Sequence, residues 1–167
     1  VLLELLAEDG TYDPHRYLDR MVAFLRHPGS HHDTYAEEWL RGFFDRRAQG
    51  YDLRHCAVQE KHIGGLAGPL ALLLFFHDDP DLGRAAAHEH RELTHRARRM
   101  AEALDAVADV LLPVLAGTPP REALAAVRRA GRNPLHAHDL AAWAERDDLE
   151  IIGRRVSPAC YVDEAVP

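Results

Sequence analysis

Apolar residues recur at helical spacing along most of this chain. Asp13-Pro14 sets a capping carboxylate ahead of a proline at the first helical position. Tyr17, Met21, Phe24 and Leu25 then fall on one face, which predicts an amphipathic helix ending near Pro28. Thr34-Tyr35-Ala36-Glu37 has the form of a capping box, with Tyr35, Trp39 and Phe43 continuing as a buried stripe toward a stop at Gly50. Residues 66–76 are apolar except for Gly68 and Pro69, so this helix is expected in the middle of a layered structure. At about 11 residues it is too short to span a membrane, which takes about 20. Pro69 fits there only in the first turn or at a kink.

Further along, Asp79-Pro80 repeats the cap-and-proline signal for a helix running to Thr94-His95. Met100, Leu104, Val107, Leu111 and Val114 mark a long helix that Pro113 bends or ends and Gly117 stops. Thr118-Pro119 opens a short helix ending at Gly131, Asn133-Pro134 reads as a turn, and 137–144 reads as one more helix. Residues 149–167 have no clear period. No strand run, hairpin signal or repeat accompanies these elements. The expectation is an all-α, multi-helix bundle forming a single domain over residues 1–167.

Composition narrows the function. With 47% hydrophobic and 28% charged residues the chain is globular in character, and a net charge of −7 argues against general binding to nucleic acid or acidic membranes. The local basic cluster of Arg96, Arg98 and Arg99 does not overturn that balance. Two cysteines, Cys56 and Cys160, and no secretory signal point to a reduced cytoplasmic setting, with one disulfide left open. The chain opens on VLLELL without an initiator methionine and closes at Ala165-Val166-Pro167, so it reads as part of something longer. Its apolar faces at the start and at 66–76 then call for a cover, for which a second chain is one source.

Two segments carry the candidate chemistry. PGSHHDTYAEEW (28–39) and EKHIGGLAGPLALLLFF (60–76) each set a polar, histidine-bearing turn against a helix that must be buried. The turn His31-His32-Asp33-Thr34 precedes a helix start, where unpaired amides suit an anion; the plainer reading is that Thr34 and Glu37 simply cap. At Lys61, His62, Gly64 and Gly65 the glycines allow close approach of a ligand and the cation suits phosphate; the plainer reading is close helix packing. His88 and His90 stand two apart on a helix and diverge, so they do not chelate one ion, and His136-His138 fails the same test. His95 ends its helix, where the dipole favours a cation. Asp78, Asp79 and Asp81 read as capping and solvation. Neither cysteine has a catalytic context, and no Gly-x-Ser-x-Gly turn exists. No metal ligand is assigned.

Taken in order, RYLDRMVAFLRHPG, HHDTYAEEW, HIGGLAGPLALLLFF, DDPDLGRAAAHEHRELTH, LLPVLAGTPPREAL and CYVDEAVP resemble the middle and late part of the ADP-ribosylglycohydrolase family. The likeness is strongest to a subgroup related to J1-type crystallins. It implies an all-α fold that binds ADP-ribose, or an ADP-ribosylated substrate, in a cleft beside two magnesium ions and cleaves the bond from ribose to an acceptor. By position, His32, Asp33, Thr34 and Tyr35 would line the cleft. Lys61 and the loop from His62 through Gly64 and Gly65 would approach ribose or phosphates, and Tyr161 would lie near the adenosine end.

The departures from the family are specific. Its Asp-Asp-Thr and Asp-x-Asp-Thr metal motifs are absent, and its Gly-Asn-Gly followed by Met-Arg is replaced by residues 60–66, EKHIGGL. Paired-metal hydrolysis needs several carboxylates converging on one point, and no such cluster can be read. The resemblance therefore implies magnesium ligands outside this chain, and the 167 residues alone are expected to be inactive as a hydrolase. Two other readings stand beside it. One is a non-catalytic protein of the same fold, binding ADP-ribose or a nucleotide or serving structurally as the crystallins do. The other is a helical interaction module.

Overall fold

The two Asp-Pro dipeptides do what their chemistry dictates. Asp13 accepts from the His15 and Arg16 amides, at 2.9 and 3.1 Å, and Pro14 opens the helix behind it. Asp79 accepts from the Leu82 amide at 3.1 Å ahead of Pro80. In the computed structural model, which describes residues 1–32, 35–130, 146, 147, 150, 161 and 162, seven α-helices follow one another. They are α1 (Leu2–Asp9), α2 (Pro14–Arg26), α3 (Glu38–Ala48), α4 (Ala67–Phe75), α5 (Pro80–Glu92), α6 (Arg98–Leu115) and α7 (Pro120–Arg129). Short 3-10 turns at Leu53–His55 and Ile63–Leu66 lie between α3 and α4. Among the described residues the only extended pairings are isolated bridges, Val58 with His95 and His62 with Tyr161. The fold is all-α. The expected turn at Asn133-Pro134 and helix at 137–144 lie outside the described residues.

Two apolar clusters hold the helices. The larger joins α4, α5 and α6 through Leu72, Leu73, Ala86, Ala87, Met100 and Leu104, and reaches Leu6 of α1 and Val162. The smaller gathers Leu18 and Met21 of α2, Phe43 of α3, Cys56 and Leu93. Small residues bring α4 and α5 together. A β-carbon on Gly68 would come within 2.1 Å of His90 Nε2, and one on Gly83 within 3.4 Å of the Phe76 β-carbon. Burial of each fully enclosed Leu or Met contributes about 1.5–3 kcal/mol. No helix among the described residues is long and apolar enough to cross a membrane.

Three expectations are corrected. Helix α4 is not central: Pro69, Leu72 and Leu73 are buried, but Leu74 and Phe75 are 49% and 40% exposed. Apolarity on every face did not imply burial on every face. The capping box does not open α3, which starts at Glu38 with no side-chain cap. Glu37 instead accepts from the Trp39 indole N–H at 2.7 Å. Tyr35, expected in the buried stripe, is 73% exposed.

Candidate functional site

The segment after Cys56 is held by the residues that follow α5. Val58 donates to Thr94 O at 3.2 Å, and Arg96 donates to Val58 O at 2.8 Å. From this anchor the chain turns sharply. Glu60 Oε1 accepts from the amides of Lys61 and His62, at 2.7 and 3.1 Å. His62 then caps the 3-10 turn, its Nδ1 accepting from the Gly64 amide at 3.1 Å. With Nδ1 engaged as an acceptor, the hydrogen bonding assigns the proton of the neutral ring to Nε2.

The chain's far end closes on the same turn. Val162 donates to Lys61 O at 3.1 Å and buries its own side chain to 1% exposure. This places Tyr161 edge-on to His62, ring centroids 6.3 Å apart, with Lys61 Nζ 5.5 Å from the centre of the phenol ring. Glu37, from the first histidine-bearing segment, brings Oε2 to 3.9 Å from His62 Nδ1. The two segments that carry the sequence-level chemistry therefore meet, at Glu37 and His62.

Beneath this polar face lies a packed floor. The Trp39 and His95 rings stand 5.2 Å apart, and His95 is 2% exposed. Gly65 lies against the same imidazole: a β-carbon there would sit 2.6 Å from His95 Cγ and Cδ2. His95 Nδ1 pairs with Thr94 Oγ1 at 2.9 Å, Arg91 Nη1 donates to His95 O at 2.9 Å, and His95 Nε2 has no hydrogen-bond partner. Burial pushes the His95 pKa down to about 4, against the opposing pull of Glu60 and Glu37. His95 is thus neutral near pH 7, and the expected dipole-stabilised cation is corrected. Desolvation outweighs the helix terminus here.

Of the residues singled out in the sequence, Lys61, His62, Gly64 and Tyr161 come together. Gly65 serves packing, and only Gly64 of the pair is exposed at the site. His32 is exposed on the loop before α3, and Tyr35 faces a separate cleft between α2 and α3, beside Arg41. Asp33 and Thr34 lie outside the described residues. Glu37 and Glu60 were missed as site residues, because one reads as a helix cap and the other as an ordinary loop acid. The available signal was position: Glu60 stands two residues before His62, and Glu37 three residues after the His31–Thr34 turn.

The face can do specific things. Tyr161 and His62 offer aromatic surface, Lys61 a cation, and Glu37 and Glu60 acceptors for hydroxyl groups. It does not fit the paired magnesium ions that the resemblance implies. Among the described residues no three His, Cys, Asp or Glu side chains gather as a metal-binding group, and the two carboxylates at the face are already engaged by N–H donors. No protein-family model, curated protein or solved structure matches this chain.

Proposed function

We propose that this chain is an ADP-ribosylglycohydrolase-like protein whose face at Glu37, Lys61, His62 and Tyr161 receives an ADP-ribosyl group. One observation carries the reading. Segments far apart in sequence, 28–39, 60–65 and 161–162, converge on His62, with Glu37 at 3.9 Å and the Tyr161 ring at 6.3 Å. In this reading Tyr161 stacks on the base, Lys61 meets the diphosphate, and Glu37 accepts from ribose hydroxyls. Cleavage of an ADP-ribosyl or related N- or O-glycosidic bond with magnesium would fall to a longer parent protein that supplies acidic ligands from outside this chain, the 167 residues alone being inactive as a hydrolase. The engagement of Glu37 and Glu60 by N–H donors favours, as the second reading, binding without turnover.

Calorimetric titration with ADP-ribose, with and without magnesium, tests both. Saturable binding that weakens about tenfold in Tyr161→Ala, in line with the loss of one base-stacking contact, and also weakens in His62→Ala supports the site. Release of free ADP-ribose from an ADP-ribosylated peptide by the full-length parent protein then separates the enzyme from the binding protein. Absence of binding, or affinity unchanged in both variants, refutes the assignment and leaves the helical interaction module.

A further inference from the structure

Between the C-terminal half of α2 and the first turns of α3 lies a cleft of about 520 Å3, within the ordinary range for small-molecule sites. It is separate from the face at His62. Its walls are apolar, formed by Phe24, Leu25, Leu40 and Phe44. Phe24 is 40% exposed, an apolar ring left open to solvent beside the cleft. The polar side chains among the described lining residues are those of His31, Tyr35, Arg41 and Asp45.

His31 lines the cleft with its ring centre 5.7 Å from that of Phe24. Its Nε2 lies 3.4 Å from Leu25 O. A carbonyl oxygen only accepts, so Nε2 carries the proton and Nδ1 of the neutral ring is a lone pair. That Nδ1 is buried and has no hydrogen-bond partner. A buried acceptor left without a donor is unfavourable, so a donor brought to it strengthens whatever carries it. Arg41 and Asp45, one turn apart on α3, line the cleft with opposite charges, and Arg41 is stacked on Tyr35 with its guanidinium carbon 5.7 Å from the ring centre. Arg41 also donates to Ala36 O. Among the described lining residues the formal charges of Arg41 and Asp45 oppose each other.

We propose that this cleft is a binding site for a small, neutral aromatic ring carrying one N–H or O–H donor, with the ring against Phe24, Leu40 and Phe44 and the donor given to His31 Nδ1. The described lining shares no residue with the face at Glu37, Lys61, His62 and Tyr161, so this site is independent of the reading there.

The test uses saturation-transfer NMR titrations of the whole chain with indole, phenol and 1-methylindole. Indole and phenol represent the N–H and O–H sources, and the tighter of the two identifies which the cleft prefers. Saturable binding of either, with 1-methylindole about five-fold weaker than indole, is the expected result. Leu40→Trp, which fills the cleft, abolishes indole binding while leaving the ADP-ribose titration unchanged. His31→Phe brings indole and 1-methylindole to equal affinity. No saturable binding of indole or phenol overturns the proposal. So does equal binding of indole and 1-methylindole by the unaltered chain, or full retention of indole binding in a folded Leu40→Trp protein.

Discussion

Replacing Gly65 by alanine asks whether the floor of the site is as rigid as its packing implies. The added β-carbon would stand 2.6 Å from Cγ and Cδ2 of His95 and 2.8 Å from its Nδ1. Real contacts at that range do not persist, so something must move. The imidazole has little room to retreat: it is 2% exposed, flanked by Trp39 and tied through Nδ1 to Thr94. Overpacking of this kind costs about 1–3 kcal/mol. Gly65 lies outside the left-handed region, so alanine is sterically allowed on the backbone, and the stiffer unfolded chain returns about 0.4–1 kcal/mol. The net loss is about 1–2 kcal/mol. Urea unfolding followed by far-ultraviolet circular dichroism measures it. Gly64→Ala is the control, because that glycine is exposed and its β-carbon would meet the partly exposed His62 ring at 3.0 Å and Glu37 Oε2 at 3.8 Å, for a change within about 0.5 kcal/mol. In the Gly65→Ala/His95→Ala double variant the clash is gone, and the combined loss falls short of the sum by about 1 kcal/mol. A Gly65→Ala protein as stable as the parent, or strict additivity in the double variant, refutes the rigid floor.

Acid should weaken the fold earlier than carboxylate titration alone would. Burial lowers His90 and His95 from the ordinary 6.5 to about 4, so both are neutral when folded while the unfolded chain takes up protons first. Stability is full above about pH 6.5 and falls as pH drops from there toward 4, with a limiting slope of about 2.7 kcal/mol per pH unit for two protons. Protonating His90 also costs Tyr12 its acceptor, since Tyr12 Oη lies 2.9 Å from His90 Nδ1 and burial holds the phenol protonated. Denaturant midpoints across this range check the claim, and a flat profile between pH 6.5 and 4.5 contradicts it. Asp79→Ala removes the side-chain acceptor for the Leu82 amide at the start of α5 and should cost about 1 kcal/mol, with Asp79→Asn close to the parent; equal loss in both variants would place the effect elsewhere.

The helices were legible where cap, proline and stripe agreed. Asp13-Pro14 and Asp79-Pro80 each fix a start by local geometry alone, and of the stripe read on α6 Met100 and Leu104 are buried while Val107 and Leu111 are partly buried against the same core, with Leu112, which was not in the stripe, buried beside them. The start of α3 was not legible, because Glu37 can satisfy either a backbone amide or an indole. Tertiary placement of Trp39 against His95 decides which. The degree to which α4 is covered was not legible either, since residue type sets the tendency to bury and the neighbours set the outcome. At the site, the His62 turn stood out in the sequence, but its meeting with Glu37 and Tyr161 depends on pairings far apart along the chain. The protonation of His95 was misread because a helix terminus is visible in sequence and desolvation is not.

The glycines of HIGGLAGPL join these observations. Gly65 admits the His95 ring and Gly68 admits the His90 ring, so one histidine from the last turn of α5 and one just beyond its end are seated against the 3-10 turn at Ile63–Leu66 and the first residues of α4. Each contact needs hydrogen in place of a β-carbon, which accounts for the spacing of these two glycines without reference to a ligand. The seated His95 in turn supports Trp39, whose indole N–H sets the position of the Glu37 carboxylate beside His62. The polar face is therefore positioned by the packing beneath it. A change confined to the floor, such as Gly65→Ala, should disturb ligand recognition at His62 without touching any group that meets the ligand.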